Sequence, residues 1–189
     1  KIRFTKMQGC GNDYVYINGF TEKVPQEKKP EFVRFASDRH FGIGGDGVIF
    51  INPSDEADSE MEMYNADGTR AEMCGNGIRC VAKYVHDKGL TDQTQFSIVS
   101  GGKVKYMDLT VENGITKAIR VDMGEPILTA AEVPVVSKNE QSVTGQPVFP
   151  WEIRMRLFLW TVRQIFRWSR SDRILKTTSA SRAVPTRSL

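Results

Sequence analysis

With 189 residues, 26 Lys and Arg against 23 Asp and Glu and a net charge of +3, the chain can hold one domain with a real core, or one domain and a tail. Its apolar share of 40% is ordinary, and no apolar run approaches the ~20 residues of a membrane span, which excludes a helical membrane protein as the reading. The opening Lys1-Ile2-Arg3-Phe4 is already strand-like, and three cysteines outside any paired framework suit a reducing compartment, so the cytoplasm is the expectation.

Along the chain, Ile2 to Met7 alternates as a strand, Gly9 to Asp13 reads as a loop and Tyr14 to Asn18 as a second strand. Pro30 to Asp38 reads as a short helix with Phe32, Val33, Phe35 and Ala36 inward. The glycine loop 42–47 leads into Val48-Ile49-Phe50-Ile51, a buried strand. Glu60 to Tyr64 alternates into another strand, which ends at the Asp67-Gly68 turn. A helix is predicted from about Gly75 to Lys88, stopped by Gly89, with Ile78, Val81, Ala82 and Val85 on one face. Three strands follow at 94–99, 103–111 and 115–122, the last two joined across Asn113-Gly114, a strong hairpin signal. One long helix among many short strands predicts an α+β fold, the helix covered by a strongly curved, mostly antiparallel sheet. No internal repeat is visible.

Asn65-Ala66-Asp67-Gly68-Thr69, followed by Cys74-Gly75-Asn76-Gly77-Ile78-Arg79, carries the chemistry. Cys74 stands immediately before the predicted helix, where the backbone dipole and unpaired N–H groups favour the thiolate form of a thiol. Gly75, Asn76 and Gly77 carry little bulk and leave those N–H groups open to a small anion such as a carboxylate. A reactive thiol beside an anion site suggests covalent or acid–base work on a carboxylate-bearing substrate. For Cys74 without its flanking motif, a small buried apolar residue is the commoner role.

This pair of motifs closely resembles the signature of the diaminopimelate epimerases, amino-acid epimerases that work without pyridoxal phosphate. Phe4 to Tyr14, read as Phe-Thr-Lys-Met-Gln-Gly-Cys-Gly-Asn-Asp-Tyr, resembles the family's opening strand and loop, and Arg39 to Gly47 its second glycine loop. The resemblance covers roughly residues 1–125 and implies two pseudo-symmetric lobes with the substrate cleft between them, of which residues 1–125 are the first. It implies that Cys74 is one of two opposed thiol bases exchanging the α-proton of LL- and meso-2,6-diaminopimelate, a lysine and peptidoglycan precursor. Asn12 and Asn65 would hold the substrate's distal amino-acid end and its carboxylates, and Gly75 and Asn76 the α-carboxylate through backbone N–H groups. Each asparagine could equally be a turn residue that tolerates unusual dihedrals. The resemblance further implies no cofactor, no metal, a small-molecule substrate rather than nucleic acid or membrane, and room for a homodimer in the full-length enzyme. A proline racemase or phenazine-type isomerase of the same superfamily is the neighbouring reading. The joint presence of the Gly-Asn-Asp loop and Cys-Gly-Asn-Gly-x-Arg favours the diaminopimelate branch.

Other features read more plainly. Cys10 and Cys80 fit ordinary packing. Six helical residues separate Cys74 from Cys80 by about 9 Å, beyond disulfide reach, and a single His86 beyond them lacks structural-zinc spacing. Gly42 to Gly47 superficially suggests a phosphate loop, but a strand follows where a dinucleotide fingerprint needs a helix. A loop bordering the substrate cleft fits better. Some family members carry a side chain at the position of Gly47 that contacts substrate, which glycine cannot do. Arg79 reads as structural.

Residues 151–189 differ in kind. They hold eight Arg and one Lys against Glu152 and Asp172, all three Trp and no Gly, whereas residues 1–150 are net negative and hold all sixteen Gly. A basic tail suggests a nucleic-acid or membrane-surface module as the competing class. Read from the third base of the Trp151 codon, however, the hidden frame must begin with Gly, and one allowed continuation is Asn-Pro-His-Ala-Phe-Ile-Phe-Val after an allowed Val-Ser-Met. Met-Gly-Asn-Pro-His resembles the motif opening the second half of diaminopimelate epimerases. The expectation is a first lobe over 1–125, a linker and start of a second lobe over 126–150, and an out-of-frame tail over 151–189 that packs poorly. The Asn-Pro-His motif, a Glu-Arg pair and the second catalytic cysteine that the resemblance calls for are not found in this chain.

Overall fold

The computed structural model describes residues 1–124 together with the two-residue strands Phe149–Pro150, Arg154–Met155 and Arg187–Ser188. They fall in two units, one of Lys1–Asp122 with Arg187–Ser188, the other containing Phe149–Pro150 paired antiparallel with Arg154–Met155. The expected linker over 126–150 and the expected tail over 151–189 lie, apart from those three short strands, outside the described residues.

In the first unit, β1 (Arg3–Gly9) and β2 (Asn12–Asn18) form a hairpin whose turn is only Cys10-Gly11, with φ of 54° and 83°. Two positive φ values in a two-residue loop match the right-handed twist of the flanking strands. The loop expected over Gly9 to Asp13 is therefore shorter, and Asn12 and Asp13 are strand residues. β3 (Gly47–Asn52) runs parallel to β2, and β4 (Ser59–Asn65) antiparallel to β3 with the short β5 (Arg70–Ala71) on its end. β6 (Gln95–Ser100) lies parallel to β4, then β7 (Lys103–Glu112) and β8 (Ile115–Val121) close an antiparallel meander through Asn113-Gly114, again with two positive φ values. Strand order is β1-β2-β3-β4-β6-β7-β8, with Arg187–Ser188 on the outer edge of β1.

The helix α2 (Gly75–Asp87) touches β1 and β2 near one end of this order and β6 and β8 at the other, so the sheet curls round it. Ile78, Val81, Ala82 and Val85 are buried as the periodicity predicts, joined by Cys80 and Lys83. Burying each of the larger apolar side chains contributes roughly 1.5–3 kcal/mol. The fold is α+β as expected. On the other face of β2 and β3, Val15, Ile17, Val48 and Phe50 pack with Val33 and Ala36 of α1 (Lys29–Ser37). Strands buried on both faces need apolar residues in succession, which accounts for the unbroken run Val48 to Ile51. In α1, Lys29, Val33, Ala36 and Ser37 face inward at helical spacing, and Phe35, expected inward, is 56% exposed because it stands two residues, about 200° of turn, from Val33. Among the described residues no helix is long and apolar enough to cross a membrane.

Candidate functional site

Cys74 is the residue that caps α2. Its backbone is extended at φ −139°, and its thiol accepts the Gly77 N–H at 3.3 Å, the role a serine or aspartate side chain plays at an ordinary helix start. The same thiol donates to Asn12 Oδ1 at 3.1 Å. Helix geometry leaves the Gly75 and Asn76 N–H groups without an intrahelical partner at this end. At Gly77 the helix start packs closely: an added Cβ would stand 2.8 Å from Ile49 Cδ1, the end of a buried side chain, and 3.5 Å from Cys74 Sγ. Gly9 similarly lets β1 approach the Asn76 carbonyl, which would stand 3.2 Å from a Cβ there.

Asn12 reaches the thiol because the tight Cys10-Gly11 turn makes it the first residue of β2. Its amide is held from behind: Nδ2 donates to Asp46 Oδ2 at 2.6 Å. Asp46 also accepts the Asp13 N–H at 3.1 Å and pairs with the Arg39 guanidinium at 2.9 Å. Arg39 bridges to Asp13 at 2.7 Å, and Lys6 pairs with Asp13 from the other side. The Arg39 hydrogen bond and the Lys6 ammonium hold the Asp13 carboxyl down at about 2 against a partial desolvation. Four charged groups thus lock the β1–β2 turn to the glycine loop.

The glycine loop itself is closed on protein. The N–H groups of Gly42, Ile43, Gly44, Gly45 and Asp46 donate to the carbonyls of Asp38, Ala36, Ala36, Ser37 and Asp13. A phosphate-binding loop must keep such donors for its ligand, so the phosphate reading fails on geometry. At Gly47 an added Cβ would overlap the Tyr64 carbonyl oxygen and stand 2.9 Å from the Tyr14 ring, so β3 and β4 close where a side chain would otherwise project.

Of the residues singled out from sequence, Cys74, Asn12, Gly75 and Asn76 come together at the start of α2. Asn65 ends β4 opposite Gly47, with the neighbouring Ala66 N–H bonded to the Asp46 carbonyl, so it joins the same rim through the glycine loop. Its side-chain amide donates to Thr69 Oγ1 at 3.0 Å, within its own turn. Arg79 holds the first helical turn together, donating to the Gly75 carbonyl at 2.8 Å and to Asn76 Oδ1 at 2.5 Å. Cys80 is buried, and desolvation pushes its thiol up. Cys10 is exposed at the hairpin tip.

Sequence reasoning missed two groups. Tyr14 is buried beside Cys74, and burial, with the neighbouring thiol adding to it, pushes its phenol up to about 12, so it stays a neutral hydroxyl. Asp46 was legible only as part of a glycine-rich loop, since its reach to Asn12 spans 34 residues of sequence. No local pattern announces such a contact.

The family model described as Diaminopimelate epimerase matches residues 4–129. A diaminopimelate epimerase of Agathobacter rectalis is 58% identical over 138 residues, which cover 73% of this chain and 48% of that protein. One from Methanococcus maripaludis is 51% identical over 138 residues, 73% of this chain and 49% of its own length. The chain spans about half the length of the curated relatives it matches. Among solved structures, a methylitaconate-delta-isomerase superposes with a TM-score of 0.51 at 21% identity, covering 61% of this chain and 62% of its own. A phenazine biosynthesis protein of the PhzF family from Bacillus anthracis gives 0.51 at 18% identity, covering 64% and 40%. At such identities these two speak for the fold alone.

Proposed function

The chain belongs to the diaminopimelate epimerase family, and from that premise we propose that it is the first lobe of an enzyme converting LL-2,6-diaminopimelate to the meso form. In this reading Cys74 is one of two opposed cysteines that work without pyridoxal phosphate or metal. One sulfur, as thiolate, takes the α-proton from one face of the carbon. The electron pair left behind spreads into the α-carboxylate, and the other sulfur, as thiol, delivers a proton to the opposite face, so no proton is gained or lost overall. The Gly75 and Asn76 N–H groups hold that carboxylate at the positive end of α2. Asn12 and Asn65 bind the distal amino-acid end.

What supports the reading best is the Cys74 thiol capping α2 at 3.3 Å from Gly77 N while bonded to Asn12, beside backbone donors with no intrahelical partner. The first lobe occupies residues 1–125, and residues 126–150 are the linker and the start of the second lobe. Residues 151–189 arise from a slipped reading frame whose correct continuation carries Asn-Pro-His and the second cysteine. The basic charge of the tail then has no nucleic-acid or membrane partner to serve, and the place of work is the cytoplasm.

The test begins with the DNA around codon 148. An intact second frame with Asn-Pro-His and a later cysteine is expected. Protein made from the corrected frame should epimerise LL-diaminopimelate, and Cys74→Ala in it should abolish turnover. Retained turnover in that variant would overturn the role given to Cys74.

A further inference from the structure

We propose that Asp46 is a positioning residue that keeps Cys74 in its proton-carrying form by locking the orientation of the Asn12 amide. The inference rests on the reading of Cys74 as an acid–base group. A side-chain amide has an accepting end and a donating end, and its neighbours decide which way it turns. Asp46, ion-paired with Arg39, is a carboxylate that only accepts, so the Asn12 NH2 must face it at 2.6 Å. The Asn12 carbonyl is thereby turned on Cys74 Sγ at 3.1 Å, where only an S–H satisfies it. A thiolate there would meet carbonyl lone pairs. Turning the amide round to offer its NH2 to sulfur would set its oxygen against the Asp46 carboxylate instead.

Asp46 cannot swing away to relieve this conflict. Its carboxylate is tied to Arg39 and the Asp13 N–H, its own N–H donates to the Asp13 carbonyl at 2.7 Å, and its carbonyl accepts the Ala66 N–H at 3.1 Å. Other groups face the sulfur. Tyr14 on β2 is a neutral phenol, and Tyr16 and Cys80 lie deeper in the core. Arg79 on α2 spends its guanidinium on Gly75 and Asn76. The Gly77 N–H and the neutral Tyr14 hydroxyl are the donors that favour negative charge at the sulfur, and the Asn12 carbonyl opposes them. With the Asn12 carbonyl turned on its sulfur, Cys74 is the member of the thiol pair that waits with its proton, and substrate contact with Asn12 would be what releases it.

The test uses the 189-residue protein and needs no turnover. Alkylation of Cys74 by iodoacetamide is followed by peptide-resolved mass spectrometry between about pH 5 and 9. Asp46→Asn supplies an amide that can accept as well as donate, so the Asn12 amide can turn. The Cys74 rate at neutral pH should rise roughly tenfold. In an Asn12→Ala background the same substitution should change the rate by less than about twofold, because the amide that transmits the effect is gone. Two results overturn the proposal: no rise in Asp46→Asn, or an equal rise in the Asn12→Ala background. An equal rise would assign the effect to through-space charge. If Asp46→Asn does not fold cooperatively, Asn12→Ala decides alone, since removing the carbonyl must itself raise the rate several-fold and an unchanged rate overturns the idea. Epimerisation in the frame-corrected protein is scored separately, so the function can fail with the alkylation result intact, and the reverse.

Discussion

At the scale of single residues, Gly77 shows how little space surrounds the thiol. A methyl group there meets Ile49 Cδ1 at 2.8 Å, so Gly77→Ala should destabilise the protein by about 1–3 kcal/mol, read from urea unfolding, through overpacking. Unchanged stability would show that the buried Ile49 side chain can give way. A second expectation separates the two buried thiols. Cys74 sits at the rim at 9% exposure with a hydrogen-bonded sulfur, whereas Cys80 is 1% exposed and burial pushes its thiol up. Iodoacetamide should therefore modify Cys74 well before Cys80 in folded protein. Equal labelling of folded protein would remove the argument from the helix terminus. That Cys74, Gly75 and Asn76 gather at a helix start was legible because their contacts are local to one turn. Tyr14 was not, since its hydroxyl meets Cys74 only once β2 lies beside α2.

At the scale of elements, α1 is fastened to β4 by a buried polar cluster. Lys29 Nζ lies 2.5 Å from Glu62 Oε2 and over the Phe50 ring, while Gln26, Asn52 and the Tyr64 hydroxyl also donate to Glu62. Burial works to raise the Glu62 carboxyl, yet Lys29 and these donors bring it down to about 2. A folded value below the unfolded one means the stabilisation is complete above pH 4.5 and lost as pH falls towards 2. Unfolding midpoints of the parent should fall across that window and those of Glu62→Gln should fall less, with Asp13 and Asp87, also near 2, keeping some slope in the variant. Identical pH profiles would contradict the account. Lys29→Ala should cost about 3 kcal/mol, because it strands a buried carboxylate. The sequence placed α1 within a residue or two but turned Phe35 inward. Apolarity alone cannot tell which face a nine-residue helix buries when a lysine on the inner face finds a carboxylate 33 residues away.

At the scale of the whole molecule, epimerisation needs both faces of the α-carbon served. The chain has three cysteines, of which Cys80 is in the core and Cys10 on a hairpin tip. The 189-residue protein should therefore show no measurable epimerisation of LL-diaminopimelate and near-background exchange of its α-proton with deuterated solvent. Robust turnover by this chain, free of frame-corrected protein, would sink the two-thiol reading and the account of residues 151–189 together.

The sequence alone determined what depends on neighbours along the chain: the period of α2, the Asn113-Gly114 hairpin, the cysteine at a helix start, and a motif order specific enough to identify the family. These are local or purely compositional, so no partner element is needed to read them. Tertiary structure decided the rest. Whether β2 pairs with β3 in parallel, and β4 with β6, is settled by hydrogen bonds between segments 33 and 39 residues apart. Cys10-Gly11 takes the same tight turn as Asn113-Gly114 without the asparagine that announces it, and that turn is what aims Asn12 at Cys74. Asp46 behind Asn12 and Tyr14 beside the sulfur follow from the curl of the sheet round α2. The orientation of one amide depends on all of them at once, and no stretch of sequence contains them together.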